Sequence, residues 1–587
     1  MTYKPLSLIL VALLPMAFFL FLVVKPALAA GYTDVSVSET RAMIETNPLL
    51  VLLDVRNQSE YDSGHIRDAK LIPVWQLTAR LNELNETDVI LVYCGMGGRS
   101  ANASQILADN GFLHVYNMLW GITEWTQEGF PVYIKYSSIQ QAVDNATAGD
   151  TIRVSAGLYA EQLSVEKSVS LEGENASTTV INFFATVLNV SADNVAISDF
   201  TIKYSGCACF GYCSVNVTDS QNTNVTNNVI VSDQFGIQIH NVSRAIIAHN
   251  KVTHTGDSAI SVLASSRVLV LENTITASNG IYLNNCSKSV IQENTISCSQ
   301  GAGIMTYQSH ENTFSGNDIS VNMSNVISLS ESDNNTFFGN NVASYSPNGL
   351  FFWQSNNNSI FHNNFLGNSS QLLSYRNSTN FWDNGLEGNY WSNYVGVDAV
   401  LDGIGDTPFV LDGNNRDNYP LTGRFHSFRA PANHDVSVVS DSAISEFEYL
   451  VPNRMIRLQI SNATANQTVG FCRVIIPHSL IDPYQGSISV VIDDGLTPVV
   501  FLNSTLHDNG THRWIYFKYP LSTHEILIVP EFPVLPILSV FMAVTIMVAG
   551  TRRRRHSSRL LEANEKSRAC MSRRPSSLLP EGSTRQH

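Results

Sequence analysis

Residues 228–250, NVIVSDQFGIQIHNVSRAIIAHN, hold one full period of a repeat. Its unit, Asn-x-(Ile/Val/Phe), recurs at Asn228, Asn250, Asn273, Asn294, Asn317, Asn340 and Asn363, in steps of 22, 23, 21, 23, 23 and 23. A second ladder keeps the same register: Gly236-Ile237, Ala259-Ile260, Gly280-Ile281, Gly303-Ile304, Val326-Ile327 and Gly349-Leu350. β-branched residues alternate with polar ones and strong helix formers are scarce, which excludes a helical repeat. Short strands at this spacing predict a right-handed parallel β-helix that climbs about 4.8 Å per coil. Apolar residues at fixed coil positions then stack into a core, and the recurrent Asn stack at the turns as a hydrogen-bonded ladder.

The repeat sits within a longer segment, 136–424. It opens on SIQQAV (138–143), GDTIRV (149–154) and GLY (157–159), and closes on NFWDNG (380–385), GNYWS (388–392) and DGIGDTP (402–408). These stretches resemble NosD-like, pectin-lyase-like surface β-helices of archaea with PbH1-type repeats. The resemblance implies a fold more than a function. Polysaccharide cleavage would need clustered carboxylates on neighbouring coils. Asp233, Asp257, Asp318 and Asp333 share no coil position, so a spacer or scaffold is expected, with a cell-surface glycan as the alternative ligand. Asp398, Asp402 and Asp406, beside Gly403 and Gly405, are the calcium candidates. Six cysteines, Cys207, Cys209, Cys213, Cys286, Cys298 and Cys472, are an even number that permits three disulfides. The Cys-x-Cys-x3-Cys cluster at 207–213 would alternatively suit a soft metal such as copper. No His or Met lies among those three, which favours disulfides.

Upstream, residues 49–56 (LLVLLDVR) and 88–93 (DVILVY) read as buried parallel strands, the second running into CGMGGRS (94–100) and an amphipathic stretch. Strand, Gly-rich loop and helix cradle an anion. Cys94 lies at the helix N-terminus, where a thiolate is stabilised. Arg99 adds a fixed cation. LLDVR, Gly64-His65-Ile66, YCGMGGRS, Gly111-Phe112, Val115-Tyr116-Asn117, GITEW (121–125) and GFPV (129–132) resemble the single-domain rhodaneses in order and spacing. That resemblance implies a small doubly wound α/β domain over 33–133. Its Cys-to-Arg loop has the six-residue length of sulfurtransferases, one shorter than in the related phosphatases. It implies that Cys94 and Arg99 are catalytic, that Gly95, Met96, Gly97, Gly98 and Ser100 bind the transferred sulfur, and that Asp54, Arg56 and His65 support them. A small sulfur donor and a thiol or other nucleophilic acceptor are the implied partners, with no cofactor required. Rhodaneses commonly carry Arg directly after the Cys; here it is Gly95, which puts thiosulfate in doubt as the best donor.

Residues 432–527 predict a β-sandwich-like module without chemistry, from β segments at short spacing. Residues 1–30 read as an export signal: Lys4, an apolar run over 6–24, and Ala27-Leu28-Ala29 as a cleavage site. The run is long enough for an uncleaved anchor. A transmembrane or sorting segment is expected over 528–550, with the apolar run drawing in Ile526 to Val529. Arg552 to Arg555 then mark the cytoplasmic side and begin a basic tail over 551–587. Pro530-Glu531-Phe532-Pro533 resembles the PEF-type C-terminal signal of archaeal surface proteins. Nineteen Asn-x-Ser/Thr sites suit an exported glycoprotein.

Composition bounds the rest. A net charge of -15 excludes a general nucleic-acid binder. Only 14% of residues are charged, which argues against coiled coil, and eight Cys in 587 residues exclude a disulfide-stapled scaffold. The expectation is a multidomain protein: a rhodanese-like α/β domain, a right-handed parallel β-helix, a β-sandwich-like module and a C-terminal transmembrane helix. The function expected is a membrane-anchored, extracytoplasmic sulfurtransferase. The alternative is a structural or glycan-binding surface protein whose rhodanese module is not catalytic.

Overall fold

The computed structural model describes residues 31–530 except 207–210, 254–255, 346–348, 368–371, 376–377, 452–453, 463–466, 482–487, 494–498, 503–504 and 521–523. The export signal, the membrane segment beyond Pro530 and the basic tail lie outside the described residues. Among those described, no helix is long and apolar enough to cross a membrane. The chain divides into two compact units, one ending at Phe425 and the other beginning at His426.

The first unit opens with a five-stranded parallel sheet in the order β1-β5-β4-β2-β3. The strands are β1 (Thr33–Val35), β2 (Val51–Asp54), β3 (Lys70–Leu71), β4 (Val89–Tyr93) and β5 (His114–Met118). The helices between them are α1 (Val37–Thr46), α2 (Gln58–Asp62), α3 (Val74–Leu77) and α4 (Gly98–Asp109), and α5 (Gly121–Gln127) follows β5. Central strands of a doubly covered sheet must be apolar on both faces. Leu53, Ile90 and Val92 feed one core with Ala103 and Leu107 of α4. Leu52, Leu91 and Tyr93 feed the other with Trp125 of α5.

The chain passes from this sheet into the solenoid almost without a linker. Tyr133 forms an antiparallel bridge with His65, and the next residue, Ile134, forms a parallel bridge with Val154 of the first coil. Helix α6 (Ile139–Asn145) lays Ile139 and Val143 on the end of the solenoid core. Three parallel sheets of 11, 10 and 10 strands then run its length. Ile197, Val225, Ile247, Val270, Ile291, Phe314, Phe337 and Ile360 are paired coil to coil in one column, and all are buried.

The asparagine ladder forms as the spacing requires. Asn294 receives the Asn273 backbone N–H and side-chain amide on Oδ1, at 2.9 and 3.0 Å. Its own Nδ2 donates to Val270 O, Gln292 O and Asn317 Oδ1. The residue before each ladder Asn takes a left-handed backbone: Asn227, His249, Glu272, Glu293, Gly316, Gly339 and His362, with φ of 57°, 56°, 52°, 55°, 63°, 67° and 57°. A second ladder, Asn312, Asn335, Asn358 and Asn380, runs parallel to it.

Cys213, Cys286, Cys298 and Cys472 are free thiols, which corrects the expectation of three disulfides. Each is buried in a packed core. Cys286 takes a place that serine holds in the following coils: its N–H donates to Ser309 Oγ at 3.0 Å, and Ser309 N–H in turn to Ser332 Oγ at 3.2 Å. Cys298 pairs with Ala277 and Val321 in the coils on either side. Cys472 is buried beside Ser440 and Tyr519. Cys207 and Cys209 lie outside the described residues.

The second unit contains two five-stranded sheets with antiparallel pairings. Val436, Val474 and Ile515 from one sheet share a core with Ile456, Val490 and Ile526 from the other. The strand His524–Pro530 pairs Ile528 with Ile456 and with Val490. Ile526 to Pro530 therefore belong to a sheet, and the membrane segment expected from residue 528 cannot begin there. The apolar character of Ile526 and Ile528 comes from this core.

Candidate active site

β4, one of the strands buried on both faces, delivers Cys94 to the C-terminal edge of the sheet, directly before the loop that starts α4. Gly97, with φ +93°, turns the loop so that its N–H donates to Cys94 Sγ at 3.2 Å. Burial pushes the Cys94 thiol up. The Ser100 hydroxyl and the N–H groups of Ser100, Met96 and Gly97 outweigh it and hold the thiol below its ordinary value. Ser100 Oγ also lies 3.0 Å from Gly97 O, so its one proton can turn from that carbonyl to Cys94 Sγ when the thiolate forms. These hydrogen bonds favour a sulfur anion at a buried place.

Arg99 lies over the loop: a Cβ placed on Gly95 would sit 3.3 Å from Arg99 Nη2. Its guanidinium forks onto Glu60 of α2, with Nη1 to Oε2 at 2.8 Å and Nη2 to Oε1 at 2.6 Å. The Arg99 hydrogen bonds, aided by the Asn57 backbone, hold the Glu60 carboxyl down at about 2. Glu60 is fixed by its own helix start, since Asn57 and Glu60 form a capping box. Asp54 and Arg56 form a second, buried pair, with Arg56 Nη2 to Asp54 Oδ2 at 2.6 Å and to Gly64 O at 2.7 Å. Arg56 also stacks over the Tyr93 ring at 5.6 Å. That pair braces the residue before Cys94, and the Asp54 charge also acts on Arg99 of the loop.

His65 is placed elsewhere. Its Nδ1 meets Tyr61 O at 2.9 Å and its Nε2 meets Glu174 Oε1 of the solenoid at 3.0 Å. It joins the two domains and does not join the Cys94 loop. Sequence reasoning missed Glu60, although Asn-x-x-Glu before a helix is a capping-box signal. It also missed the floor under the loop. Ile122 N–H donates to Cys94 O at 2.8 Å, and Thr123 N–H and Oγ1 donate to Gly95 O at 3.1 and 2.8 Å. Gly121 is required there: a Cβ would lie 2.3 Å from Cys94 O, and its φ is +60°. Met96, on the loop, and Trp120, whose backbone N lies 3.2 Å from where a Cβ on Gly97 would sit, are 72% and 63% exposed.

The calcium candidates do not converge. Asp398 accepts the N–H groups of Asp402 and Gly403, Asp402 that of Ile404, and Asp406 that of Ala399. These carboxylates stabilise the loop itself. Among the described residues no group of three or more His, Cys, Asp or Glu could hold a metal ion.

The rhodanese-like domain family matches residues 36–128. The family described as periplasmic copper-binding protein (NosD) matches residues 143–298 and 253–396. The chain is 31% identical to a sulfurtransferase of Allochromatium vinosum over 97 residues, 16% of this chain and 90% of the relative. It is 34% identical to the putative sulfur carrier protein YrkF of Bacillus subtilis over 98 residues, 17% of this chain and 53% of that protein. The chain thus spans about half the length of YrkF. A solved rhodanese-related protein from Thermoplasma volcanium is 29% identical, covering 18% of this chain and 100% of that one, with a TM-score of 0.17. Fold and loop define a rhodanese-type domain set on a parallel β-helix. The chain belongs to the rhodanese family through its first domain, which is fused to a NosD-like β-helix.

The described residues do not fit the copper that the second family's description mentions. No group of three or more His, Cys, Asp or Glu among them could hold the ion, and burial pushes the thiols of Cys213 and Cys298 up to about 12, away from the thiolate by which a cysteine ligates copper.

Proposed function

We propose that the protein is an extracytoplasmic sulfurtransferase that carries sulfane sulfur on Cys94, displayed on its β-helix as a stalk. The observation that carries this reading is the buried Cys94 Sγ facing loop N–H groups that favour its thiolate. In the first step the Cys94 thiolate attacks the outer sulfur of a donor. The Sγ–S bond forms, the donor S–S bond breaks, and the remainder of the donor leaves with the electron pair. In the second step an acceptor nucleophile attacks the outer sulfur and the Cys94 thiolate returns. The N–H groups of the loop stabilise the persulfide anion between the steps. No electron carrier is needed and no cofactor enters.

Export by residues 1–30, anchoring by the apolar segment after Pro530 and glycosylation of the Asn-x-Ser/Thr sites complete the proposal. The second unit serves as a sandwich-like spacer between stalk and anchor. Sulfur transfer from a donor to a thiol acceptor by the full chain tests the reading. Cys94→Ser is expected to abolish transfer and to leave the far-UV spectrum intact. Transfer that survives the substitution would refute it.

One observation favours a second ligand. On one outward solenoid face, neighbouring strands align Tyr282 with Met305, and Asn284 with Tyr307. Two coils further on, Phe351 and Trp353 follow in the same two columns. Rings two to three coils apart in adjacent columns suit stacking on successive units of a cell-surface glycan. Binding of the full chain to a glycan array, lost on Tyr307→Ala with Trp353→Ala, is the expected result.

A further inference from the structure

We infer that the donor to Cys94 is an organic persulfide, R–S–S⁻, and not the thiosulfate dianion. The inference rests on the sulfurtransferase reading and concerns the substrate of that same site.

Charge is the first argument. Sulfur leaves thiosulfate with sulfite, a dianion, as the leaving group. Such a site needs a cation that is not already matched. Here each guanidinium around the loop has a carboxylate. Arg99 is held by both oxygens of Glu60, and Arg56 by both oxygens of Asp54. Position 95, next to Cys94, is Gly and adds no cation. A dianion over the loop would face the Glu60 carboxylate beside Arg99. An organic persulfide instead leaves as a thiolate with one charge. The Sγ–S bond to Cys94 forms, the R–S–S bond breaks, and R–S⁻ departs with the electron pair to be protonated by solvent. The loop N–H groups suffice for one charge.

Shape is the second argument. Met96, on the loop itself, and Trp120, at the turn entering α5, are large apolar side chains 72% and 63% exposed. Trp120 is seated against the loop: a Cβ on Gly97 would lie 3.2 Å from Trp120 N. A Cβ on Gly98, the next residue of the loop, would meet nothing within 4 Å, so the loop is open on that side. Thiosulfate has no group to place against apolar side chains, whereas the R group of an organic persulfide has.

The experiment measures the rate of sulfane-sulfur loading of the full chain with benzyl persulfide and with thiosulfate. For the wild type we expect loading by the persulfide to be faster. In Glu60→Gln, which leaves Arg99 unmatched, the thiosulfate-to-persulfide rate ratio rises about tenfold or more. Gly95→Arg, which adds a cation next to Cys94 where the Cβ would meet only the flexible end of Arg99 at 3.3 Å, raises the ratio too and stands in if Glu60→Gln fails to fold. Met96→Ser with Trp120→Ser slows benzyl persulfide more than thiosulfate. Faster loading of the wild type by thiosulfate, or a ratio unmoved by every variant, would overturn the inference and leave the sulfurtransferase reading standing. Loading by neither donor would overturn both.

Discussion

Cys94 is buried, yet its surroundings favour its anion, and the two facts pull its thiol in opposite directions. Ser100 and three loop N–H groups prevail. Alkylation of Cys94 followed against pH should therefore show a midpoint below that of an ordinary thiol. Ser100→Ala should raise the midpoint by about one unit, because a hydrogen bond to the charged form is lost. A midpoint unmoved by Ser100→Ala would assign the effect to the backbone alone. That Cys94, its loop and Arg99 lie together was legible in the sequence because they are contiguous and their spacing encodes the turn. Glu60 and Gly121 were not read as parts of the site, since only the fold brings α2 and the start of α5 to the loop. His65 was misplaced for the same reason: its partner, Glu174, is 109 residues away.

At the scale of elements, the ladder makes each coil depend on the next. Asn294→Ala would orphan the buried Asn273 N–H, leave the Asn273 side-chain amide with Ile247 O alone, and take the Asn294 amide from the Val270 carbonyl. It is expected to cost about 3 kcal/mol in equilibrium unfolding, far more than Ala at an exposed turn position. The ladder ends on a carboxylate. Asp417 Oδ2 accepts Asn389 N–H at 2.8 Å and Trp391 Nε1–H at 2.8 Å. Burial drives its pKa up to about 6, against the opposing effect of these hydrogen bonds. A raised folded-state value stabilises fully below the unfolded value and is lost as pH rises through the folded one. Solenoid stability should therefore fall as pH rises through about 6, and Asp417→Asn should remove that step in thermal unfolding followed against pH. The repeat was legible because a coil of fixed length imposes its period on Asn and on apolar residues alike. The cysteines were misread because a thiol in a serine column leaves no mark on spacing. The run Ile526 to Val529 was misread because a strand buried in a sheet core and the start of a membrane span are equally apolar.

At the scale of the molecule, the rhodanese-type domain is seated on the solenoid. Glu174 is the centre of the seat: Oε1 meets His65 Nε2 at 3.0 Å and accepts the Asp68 N–H at 2.9 Å, and Oε2 accepts the Ala156 N–H at 2.8 Å. Arg67 adds a hydrogen bond to Glu174 O and ion pairs with Glu172 and Asp199. Burial raises the Glu174 carboxyl, and the His65 contact with the two N–H groups lowers it further, so the net shift is downward. A lowered folded-state value stabilises above the unfolded value and is lost as pH falls through the folded one. The seat should hold at neutral pH and loosen in acid. Glu174→Ala should loosen it at neutral pH, seen as faster hydrogen exchange at Tyr133 and Ile134 with the solenoid core still protected. Exchange unchanged at those two amides would show that strand bridging alone holds the domains.

The central claim is that Cys94 carries transferable sulfur. Intact mass of the full chain after exposure to an organic persulfide, with the modified peptide mapped, tests it most directly. The account predicts a gain of one sulfur atom on Cys94 that is removed by a thiol acceptor and is absent in Cys94→Ser. A folded protein that gains no sulfur at Cys94, or gains it equally in Cys94→Ser, would contradict it.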